Sequence, residues 1–242
     1  MRQAIGLLNW LVNGVGAAPS LAVVVAHPDD ETIGAGARLQ RLGGALFVFV
    51  TDGAPRDLTD ARAAGCADRQ SYARTRRREL DQVFMRAAIE PQVLFLDYVD
   101  QEASLGLAEL TNCLTVLLSR CEAVLTHPYE GGHPDHDATS CAVHLACRRL
   151  ARRGGAAPVI IEMAFYHAGK NGLETGVFLS RPGCDEAIAL LSEEQRLLKR
   201  RLFDCYRTQR RQLQCFAIDV ERFRIAPRYD FSAPPHAGNA LL

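Results

Sequence analysis

The chain has 242 residues, enough for one large α/β domain and short for two, and its 48% hydrophobic and 23% charged residues are typical of a soluble globular protein. Lys plus Arg and Asp plus Glu each number 28, so the formal net charge is zero, which argues against a nucleic-acid-binding protein. The eight cysteines form no C-x-x-C pair, which argues against thiolate zinc sites and favours a reducing, cytoplasmic compartment.

The first 19 residues are apolar enough to raise the question of an export signal. Asn9 and Asn13 interrupt the apolar stretch, and a core strand follows almost at once. The apolar residues instead have the spacing of one helix face, so we predict a packing helix within 1–19. No stretch of the sequence approaches the roughly 20 apolar residues that a membrane span needs.

Apolar runs then alternate with helical patterns. The predicted strands are 21–26, 45–51, 93–98, 123–127 and 159–167. The predicted helices between them are 33–43, 71–88, 104–120 and 137–153. Near-continuous hydrophobic strands that alternate with helices predict a doubly wound, mainly parallel, Rossmann-like sheet with helices on both faces.

The pattern changes after residue 167. Asn171-Gly172 indicates a tight turn before a further strand, and a helix is predicted at 192–209. The segment 210–242 ends in a proline-rich tail that contains aromatic residues, so we expect it to pack near the site. We find no repeat and no second domain, and predict a single domain over 1–242.

Polar residues follow the ends of the first four predicted strands. "AHPDDE" (26–31) follows the first strand, and the fourth runs into "PYEGGHPDHDAT" (128–139). "TDGAPRD" (51–57) and "DYVDQEASL" (97–105) follow the second and third. Because open parallel sheets bind ligands outside the carboxyl ends of their strands, the sequence predicts a composite site at one rim.

The spacing of histidines and aspartates in these loops indicates a metal site. His27 and Asp30 are three residues apart, and His133 and His136 have the same spacing after Gly-Gly. Two histidine nitrogens and one carboxylate oxygen around an open position are typical of catalytic zinc. A second carboxylate beside them can serve as general base. The alternative is that the aspartates cap helices and the histidines lie in loops.

"AHPDDE" and "GGHPDHDAT", in this order and on these elements, resemble the paired motifs of the LmbE-like, or PIG-L, family of zinc-dependent N-deacetylases. The resemblance covers most of the chain, although only the paired motifs are specific. One departure is Ala87-Ala88, where members often have Leu-Gly. Besides the paired motifs, the resemblance extends through "VTDG" (50–53), "RTRRRELDQVF" (74–84), "LDYVDQEASL" (96–105) and "KRRLFDCYRTQ" (199–209).

The resemblance implies roles for the residues of the paired motifs. His27 and Asp30 would bind the metal, with His136 as the third ligand. Asp29 would be the general base, which activates water and later passes the proton to the departing amine. His133 would stabilise the tetrahedral oxyanion or assist protonation. The implied cofactor is Zn²⁺, with Fe²⁺ as the alternative at the same site.

Three residues are candidates for substrate contacts. Asp100 matches a family position that contacts substrate hydroxyls. An arginine near residue 76 is also expected, and Arg76 fits best because Glu79 follows three residues later. The adjacent arginines at 74, 77 and 78 are alternatives, and a surface ion pair is the structural interpretation of each. His236 is a candidate because some members bring a C-terminal histidine into the site, the alternative being simple exposure.

Other polar residues have structural interpretations. We expect His127 to line the pocket or pair with backbone, and His144 to lie in the core or at the surface. Asp135 either orients a ligand histidine or caps the next helix, and Glu31 either supports its loop or caps helix 33–43. "GAG" (34–36) lacks the third glycine of a dinucleotide-binding fingerprint, so we do not expect nucleotide binding there.

The resemblance implies hydrolysis of an N-acetyl group on an amino sugar or glycoconjugate, which releases acetate and an amine. A non-haem iron oxygenase shares the ligand types, but the parallel α/β pattern and Asp29 favour hydrolysis. A non-catalytic metal-dependent binding protein would not need Asp29. The loops at 53–70, 100–106 and 168–182 would form the pocket walls, and their composition does not select one sugar. Because family members are often multimeric, a homo-oligomer is a further expectation.

Overall fold

The computed structural model describes residues 2–241. The described strands are β1 (Leu21–Val25), β2 (Leu46–Thr51), β3 (Gln92–Tyr98), β4 (Ala123–Thr126), β5 (Val159–Met163), β6 (Tyr166–Gly169), β7 (Gly172–Thr175), β8 (Glu186–Leu190) and β9 (Val220–Ile225). The described α-helices are α1 (Arg2–Asn13), α2 (Asp30–Ala35), α3 (Thr59–Ala63), α4 (Arg69–Arg86), α5 (Leu107–Leu117), α6 (Pro134–Arg152), α7 (Glu193–Phe203) and α8 (Arg210–Leu213).

Seven strands form one sheet in the order β3-β2-β1-β4-β5-β9-β8. The strands β1 to β5 are parallel, and β9 and β8 extend the β5 edge in antiparallel fashion. The chain runs outward from β1 to β3 and then returns to β4 on the other side of β1. This reversal makes the boundary between β1 and β4 the place where a doubly wound sheet binds ligands. The mainly parallel α/β fold is therefore confirmed.

The central strands are hydrophobic throughout because helices cover both faces of the sheet. In β1, Val23 and Val25 pack into one core, and Ala22 and Val24 pack into the core on the opposite face. Trp10 of α1 belongs to the first core, as a packing helix requires. Within residues 2–241, none of the helices combines the length and the apolar character that a membrane crossing needs.

Two predicted elements differ in the structure. The predicted strand 159–167 divides into β5, in the main sheet, and β6, which pairs with β7 in a separate hairpin. The turn of that hairpin is Lys170-Asn171, one residue before the predicted Asn171-Gly172, and Gly172 begins β7 at φ +116°. The predicted helix 33–43 is α2 followed by one 3₁₀ turn at Gly36–Arg38, because the glycines of "GAG" disfavour a longer helix.

The sequence pattern does not predict β8 and β9. Both strands are short and carry charged residues, and Glu221 and Arg224 of β9 are buried all the same. The predicted helix 192–209 ends at Phe203 and is followed by a 3₁₀ turn, Arg207–Gln209. The segment 210–242 thus contains β9, an inner strand of the main sheet between β5 and β8, as well as a tail.

Ala87-Ala88, where members of the resembled family often have Leu-Gly, lies at the end of α4. Ala88 has a φ of +55°, in the left-handed region where the chain commonly leaves a helix. Glycine adopts this conformation without steric cost, which explains why it suits the position. Ala88 adopts the same conformation here, so the substitution leaves the helix end in place.

Candidate metal centre and catalytic cavity

The first two predicted ligands lie where β1 gives way to α2. His27 follows β1 by two residues, and Asp30 is the first residue of α2. The backbone N–H of His27 donates to Asp30 Oδ2 at 2.7 Å, which closes the loop between them. His136 lies in the first turn of α6, and the parallel pairing of β1 with β4 brings that turn beside β1. The structure therefore brings the three predicted ligands together.

The donor atoms of these residues form a triangle. His27 Nδ1 lies 3.3 Å from Asp30 Oδ2 and 3.3 Å from His136 Nε2. His136 Nε2 lies 3.2 Å from Asp30 Oδ1. Zinc in tetrahedral coordination at its usual bond lengths separates its ligand atoms by about 3.3 Å. The three residues therefore fit a divalent cation such as zinc.

The electrostatics of Asp30 also suit a ligand. Burial acts to raise its pKa, but His136 and His127 outweigh burial and hold the pKa well below its usual range. Asp30 therefore remains ionised, the state that binds a cation.

Asp29 lies in the same loop, directly before α2, in an uncommon backbone conformation. Its φ is +130° and its ψ is −25°. A non-glycine residue in such a region costs on the order of 1–3 kcal/mol and persists only where its surroundings impose it. Burial raises the pKa of Asp29 to about 7, although Arg76 opposes the shift. The carboxylate lines the same cavity as the three metal-binding candidates.

The structure also selects one arginine from the basic stretch of α4. Arg76 is buried, and its Nη2 donates to Asp29 Oδ2 at 3.2 Å and to the carbonyl of Pro28. Arg77 pairs with Asp97 instead, and the arginines at 74 and 78 are exposed. Within residues 2–241, Nε and Nη1 of Arg76 have no hydrogen-bond partner.

His133 is the N-cap of α6, and its ring has a defined orientation. Its Nδ1 accepts a hydrogen bond from the backbone N–H of Asp135 at 3.1 Å. The ring proton of neutral His133 therefore lies on Nε2, which is 4.0 Å from Asp100 Oδ1. Burial, reinforced by His27 and His136, lowers the pKa of His133 to about 3, so this imidazole is neutral.

Asp135 contacts a ligand histidine. Its Oδ2 lies 3.2 Å from His27 Nε2, the ring nitrogen that is not part of the triangle of donor atoms. The same carboxylate accepts the backbone N–H groups of Gln101 and Ala103 at 2.6 and 3.0 Å. Such a carboxylate fixes the tautomer and orientation of a ligand imidazole. Of the two interpretations of Asp135, the structure favours orientation of His27 over helix capping.

The other two histidines near the motifs have structural partners. His127 is fully buried, and its Nε2 accepts the backbone N–H of Ala26 at 2.9 Å. His127 Nε2 also lies 3.3 Å from Asp30 Oδ2, and burial followed by His136 lowers its pKa to about 3. His144 is buried against the rings of Tyr229 and Phe231, further along α6.

The metal-binding candidates open into a cavity of about 410 Å³. Asp100, after β3, lines it, and its Oδ1 lies 3.3 Å from His27 Nε2. Asp60 of the predicted wall loop 53–70 lines the cavity. So do residues outside the three predicted wall loops: Ile33, Tyr166, Gln209, Gln212, Leu213 and Phe216. Only Gln209 belongs to a segment of the resemblance, and the others lie in stretches without a recognisable motif.

The structure does not bring His236 into this cavity. Its Nε2 contacts the carbonyl oxygen of Ala168 at 2.8 Å, and its ring lies 5.8 Å from that of His167. His236 instead lines a second pocket of about 480 Å³ with Tyr129 and Arg181. Residues 209–216, rather than the proline-rich tail, contact the cavity from the C-terminal part of the chain.

Residues 22–147 match the model of the PIG-L family, described as GlcNAc-PI de-N-acetylase. The match covers more than half of the chain and includes both histidine-aspartate motifs. The chain belongs to the PIG-L family. No protein of curated function matches this PIG-L protein significantly in sequence.

Solved structures share the fold of this PIG-L protein at low sequence identity. The A40926 pseudoaglycone deacetylase Dbv21 is 17% identical, with a TM-score of 0.64 over 88% of this chain and 99% of its own. The N,N'-diacetylchitobiose deacetylase of Pyrococcus horikoshii is 17% identical, with a TM-score of 0.58 over 93% and 91%. GalB, the 4-carboxy-2-hydroxymuconate hydratase of Pseudomonas putida KT2440, is 17% identical, with a TM-score of 0.58 over 87% and 98%.

Proposed function

We propose that this PIG-L protein is a metal-dependent N-deacetylase that removes an acetyl group from an amino sugar or glycoconjugate. The observation that carries the proposal is the triangle of His27, Asp30 and His136 donor atoms, 3.2–3.3 Å apart, beside the Asp29 carboxylate in one cavity. The family description and the two deacetylases of the same fold support this reaction.

His27, Asp30 and His136 would hold the cation, which we propose to be Zn²⁺, with Fe²⁺ able to use the same ligands. When bound, such a cation lowers the pKa of a water molecule and withdraws charge from an amide carbonyl. Asp135 would keep His27 in the tautomer that offers Nδ1 to the ion, because its carboxylate faces Nε2.

Asp29 would act as the base. Its carboxylate accepts a proton from the attacking water as the water oxygen bonds to the amide carbon. It then gives that proton to the nitrogen as the C–N bond breaks, so that acetate and a free amine leave. The Arg76 guanidinium at 3.2 Å would keep the carboxylate aligned between these two transfers.

His133 would stabilise the negative charge that develops on the amide oxygen. The hydrogen bond that its Nδ1 accepts leaves the Nε2–H as a donor on the side of Asp100. A neutral imidazole held in this way stabilises an oxyanion by donating a hydrogen bond, without transferring its proton.

Asp100 and Arg76 are the substrate-binding residues that the cavity supports best. Both line the cavity, and Nε and Nη1 of Arg76 are buried without a hydrogen-bond partner within residues 2–241. Sugar hydroxyls would satisfy these atoms, which gives selectivity because an analogue that lacks them leaves a buried group unpaired. The position of His236 outside the cavity gives no support to a substrate contact from that residue.

GalB shows that this fold also accommodates a hydratase, so likeness of fold does not decide the reaction. The deacetylase reaction is favoured because the family match covers both motifs. A protein that only bound a metal would not need Asp29, which is buried and has an unusual backbone conformation. The free state of all eight cysteines agrees with the reducing cytoplasm that we propose as its location.

The test is release of primary amine from a panel of N-acetylated substrates by zinc-loaded protein. The panel contains a monosaccharide, a chitobiose, a nucleotide sugar, a glycolipid and a glycopeptide, each beside its O-acetyl counterpart. We expect amine from at least one N-acetyl substrate and none from that substrate with Asp29→Ala. Zinc-loaded protein that releases no amine from any member would contradict the proposal.

A further inference from the structure

A buried chain of hydrogen bonds connects the segment after α7 to the proposed base. Tyr206 is fully buried three residues beyond the end of α7, and its hydroxyl donates to Glu31 Oε1 at 2.6 Å. The other oxygen of Glu31 accepts the backbone N–H of Asp29 at 3.1 Å. Glu31 is also fully buried and receives a further hydrogen bond from the hydroxyl of Thr32.

These contacts stabilise the unusual backbone conformation of Asp29. Asp29 has a φ of +130°, a conformation that L residues rarely adopt without tertiary contacts to impose it. Arg76 holds the carboxylate, and Glu31 holds the N–H of the same residue. A buried carboxylate keeps its place only while donors satisfy it, and the Tyr206 hydroxyl is one such donor to Glu31.

We propose that Tyr206 is a positioning residue: through Glu31 it holds the Asp29 backbone in its strained conformation and so aims the Asp29 carboxylate at the metal site. This inference rests on the proposed role of Asp29 as base. Tyr206 does not line the cavity, so it acts through Glu31 and not on the substrate. It also lies outside residues 22–147, the part of the chain that the family model matches.

The variant Tyr206→Phe removes only the hydroxyl and keeps the ring in the core. We expect kcat to fall about 10- to 100-fold, the usual effect of removing a group that orients a catalytic residue. KM and zinc content should stay close to those of the wild type, because no ligand or substrate contact is lost. An unchanged kcat would overturn the proposal.

Tyr229→Phe is the matched control. Tyr229 is also buried, and its hydroxyl donates to a buried glutamate, Glu162, at 2.8 Å, away from Asp29. We expect this variant to lose thermal stability at least to the same extent while it keeps its kcat. Equal losses of kcat in the two variants would mean that Tyr206 contributes stability alone, which contradicts the proposal.

A second variant tests the route through Glu31. Glu31→Leu removes both carboxylate oxygens, so that neither the Asp29 N–H nor the Tyr206 hydroxyl keeps its acceptor. We expect its kcat to fall as well. The double variant with Tyr206→Phe should lose no more kcat than the more impaired of the two single variants. Losses that multiply would show that the two residues act independently, and the proposed route would be wrong.

A crystal structure of Tyr206→Phe separates this inference from the proposed function. If the wild type releases no amine, the proposed function fails, but the positioning can still be measured. We expect the Asp29 N–H to lose Glu31 as its acceptor and φ at Asp29 to move away from +130°. An Asp29 that keeps its conformation and its hydrogen bond to Glu31 would overturn the inference, whatever the activity.

Discussion

Two clusters of buried charge, one in the loop and helices beside the end of β1 and one around β5 and β9, differ in what occupies their centre. The sheet cluster consists of Glu130, Glu162, Arg224 and Tyr229. The Arg224 guanidinium lies between the carboxylates, with Nε 2.7 Å from Glu162 and Nη2 2.7 Å from Glu130. In the site cluster of His27, Asp30 and His136, the described chain provides only histidines as ion-pair partners for Asp30. The chain supplies its own cation to the sheet cluster, and we propose that the site cluster takes a cation from solution.

The two clusters also differ in their access to solvent. Arg224, Glu130 and Glu162 are at most 1% exposed, and they hold β5, β9 and the loop after β4 together. The site cluster opens into the 410 Å³ cavity, which Asp29 also lines. Buried charge therefore indicates function here only where the donor atoms converge on a space that a ligand can reach.

The largest effect is expected from Asp29. We expect Asp29→Ala to lower kcat by about 10²- to 10⁴-fold, the usual contribution of a general base. Asp29→Asn should lose a similar factor, since the amide cannot accept the proton from water. Zinc content, measured by inductively coupled plasma mass spectrometry, should remain that of the wild type in both. Wild-type turnover in either variant would remove Asp29 from the reaction.

Arg224→Met tests the sheet cluster. It leaves two carboxylates buried without their cation, and breaking a buried pair costs about 3–5 kcal/mol of unfolding free energy. The matched control is Arg222→Met, on the same strand, where the pair with Glu186 is partly exposed and worth less than about 1 kcal/mol. Urea denaturation measures both. Equal losses would show that burial does not distinguish the two pairs.

His136→Ala and His144→Ala compare two histidines of α6. Removal of a ligand should weaken zinc binding by more than the about 10- to 100-fold that loss of an orienting partner costs. His144→Ala should bind zinc as the wild type does, because His144 contacts Tyr229 and Phe231 instead of the site cluster. Competition with a chromophoric chelator gives the two affinities. Unchanged zinc affinity in His136→Ala would mean that another residue is the third ligand.

The smallest expected effect is a dependence of stability on pH. Burial raises the pKa of Glu130 to about 7, against the opposing effect of Arg224. Because the folded state then holds this proton more tightly than the unfolded state, the contribution is present at low pH and is lost as pH rises through 7. We expect a loss on the order of 1–3 kcal/mol between pH 5 and pH 8.

Glu130→Gln should remove that part of the pH dependence. Its unfolding free energy, from urea titrations at each pH, should vary less with pH than that of the wild type. A slope identical to the wild-type slope would show that Glu130 does not titrate in this range.

The sequence was sufficient for the central sheet and the metal-binding candidates, for a physical reason. Strands buried on both faces are continuous hydrophobic runs, and a parallel sheet places their polar ends on one rim. Once β1 and β4 were neighbours, His27 and His136 had to lie close together. The sequence favoured Arg76 among the arginines at 74, 76, 77 and 78, and the structure separates it from the others by its burial.

The C-terminal part of the chain was predicted less well. The pattern of β9, "VERFRI", does not indicate a core strand, because Glu221 and Arg224 are buried only through partners that are distant in sequence. Residues 209–216 reach the cavity through the packing of short helical turns, which hydrophobic periodicity does not report. His236 was a candidate only through the family resemblance, and the tail directs it to another pocket.

The central claim is that the site cluster holds one cation on which turnover depends. The most direct measurement adds zinc stepwise to metal-free protein and follows bound zinc and amine release in the same samples. We predict that amine release rises in proportion to bound zinc and reaches its maximum at one equivalent, while Asp29→Ala binds the same equivalent without turnover. Full activity in the metal-free protein, or one bound zinc in the wild type without any amine release, would contradict the account.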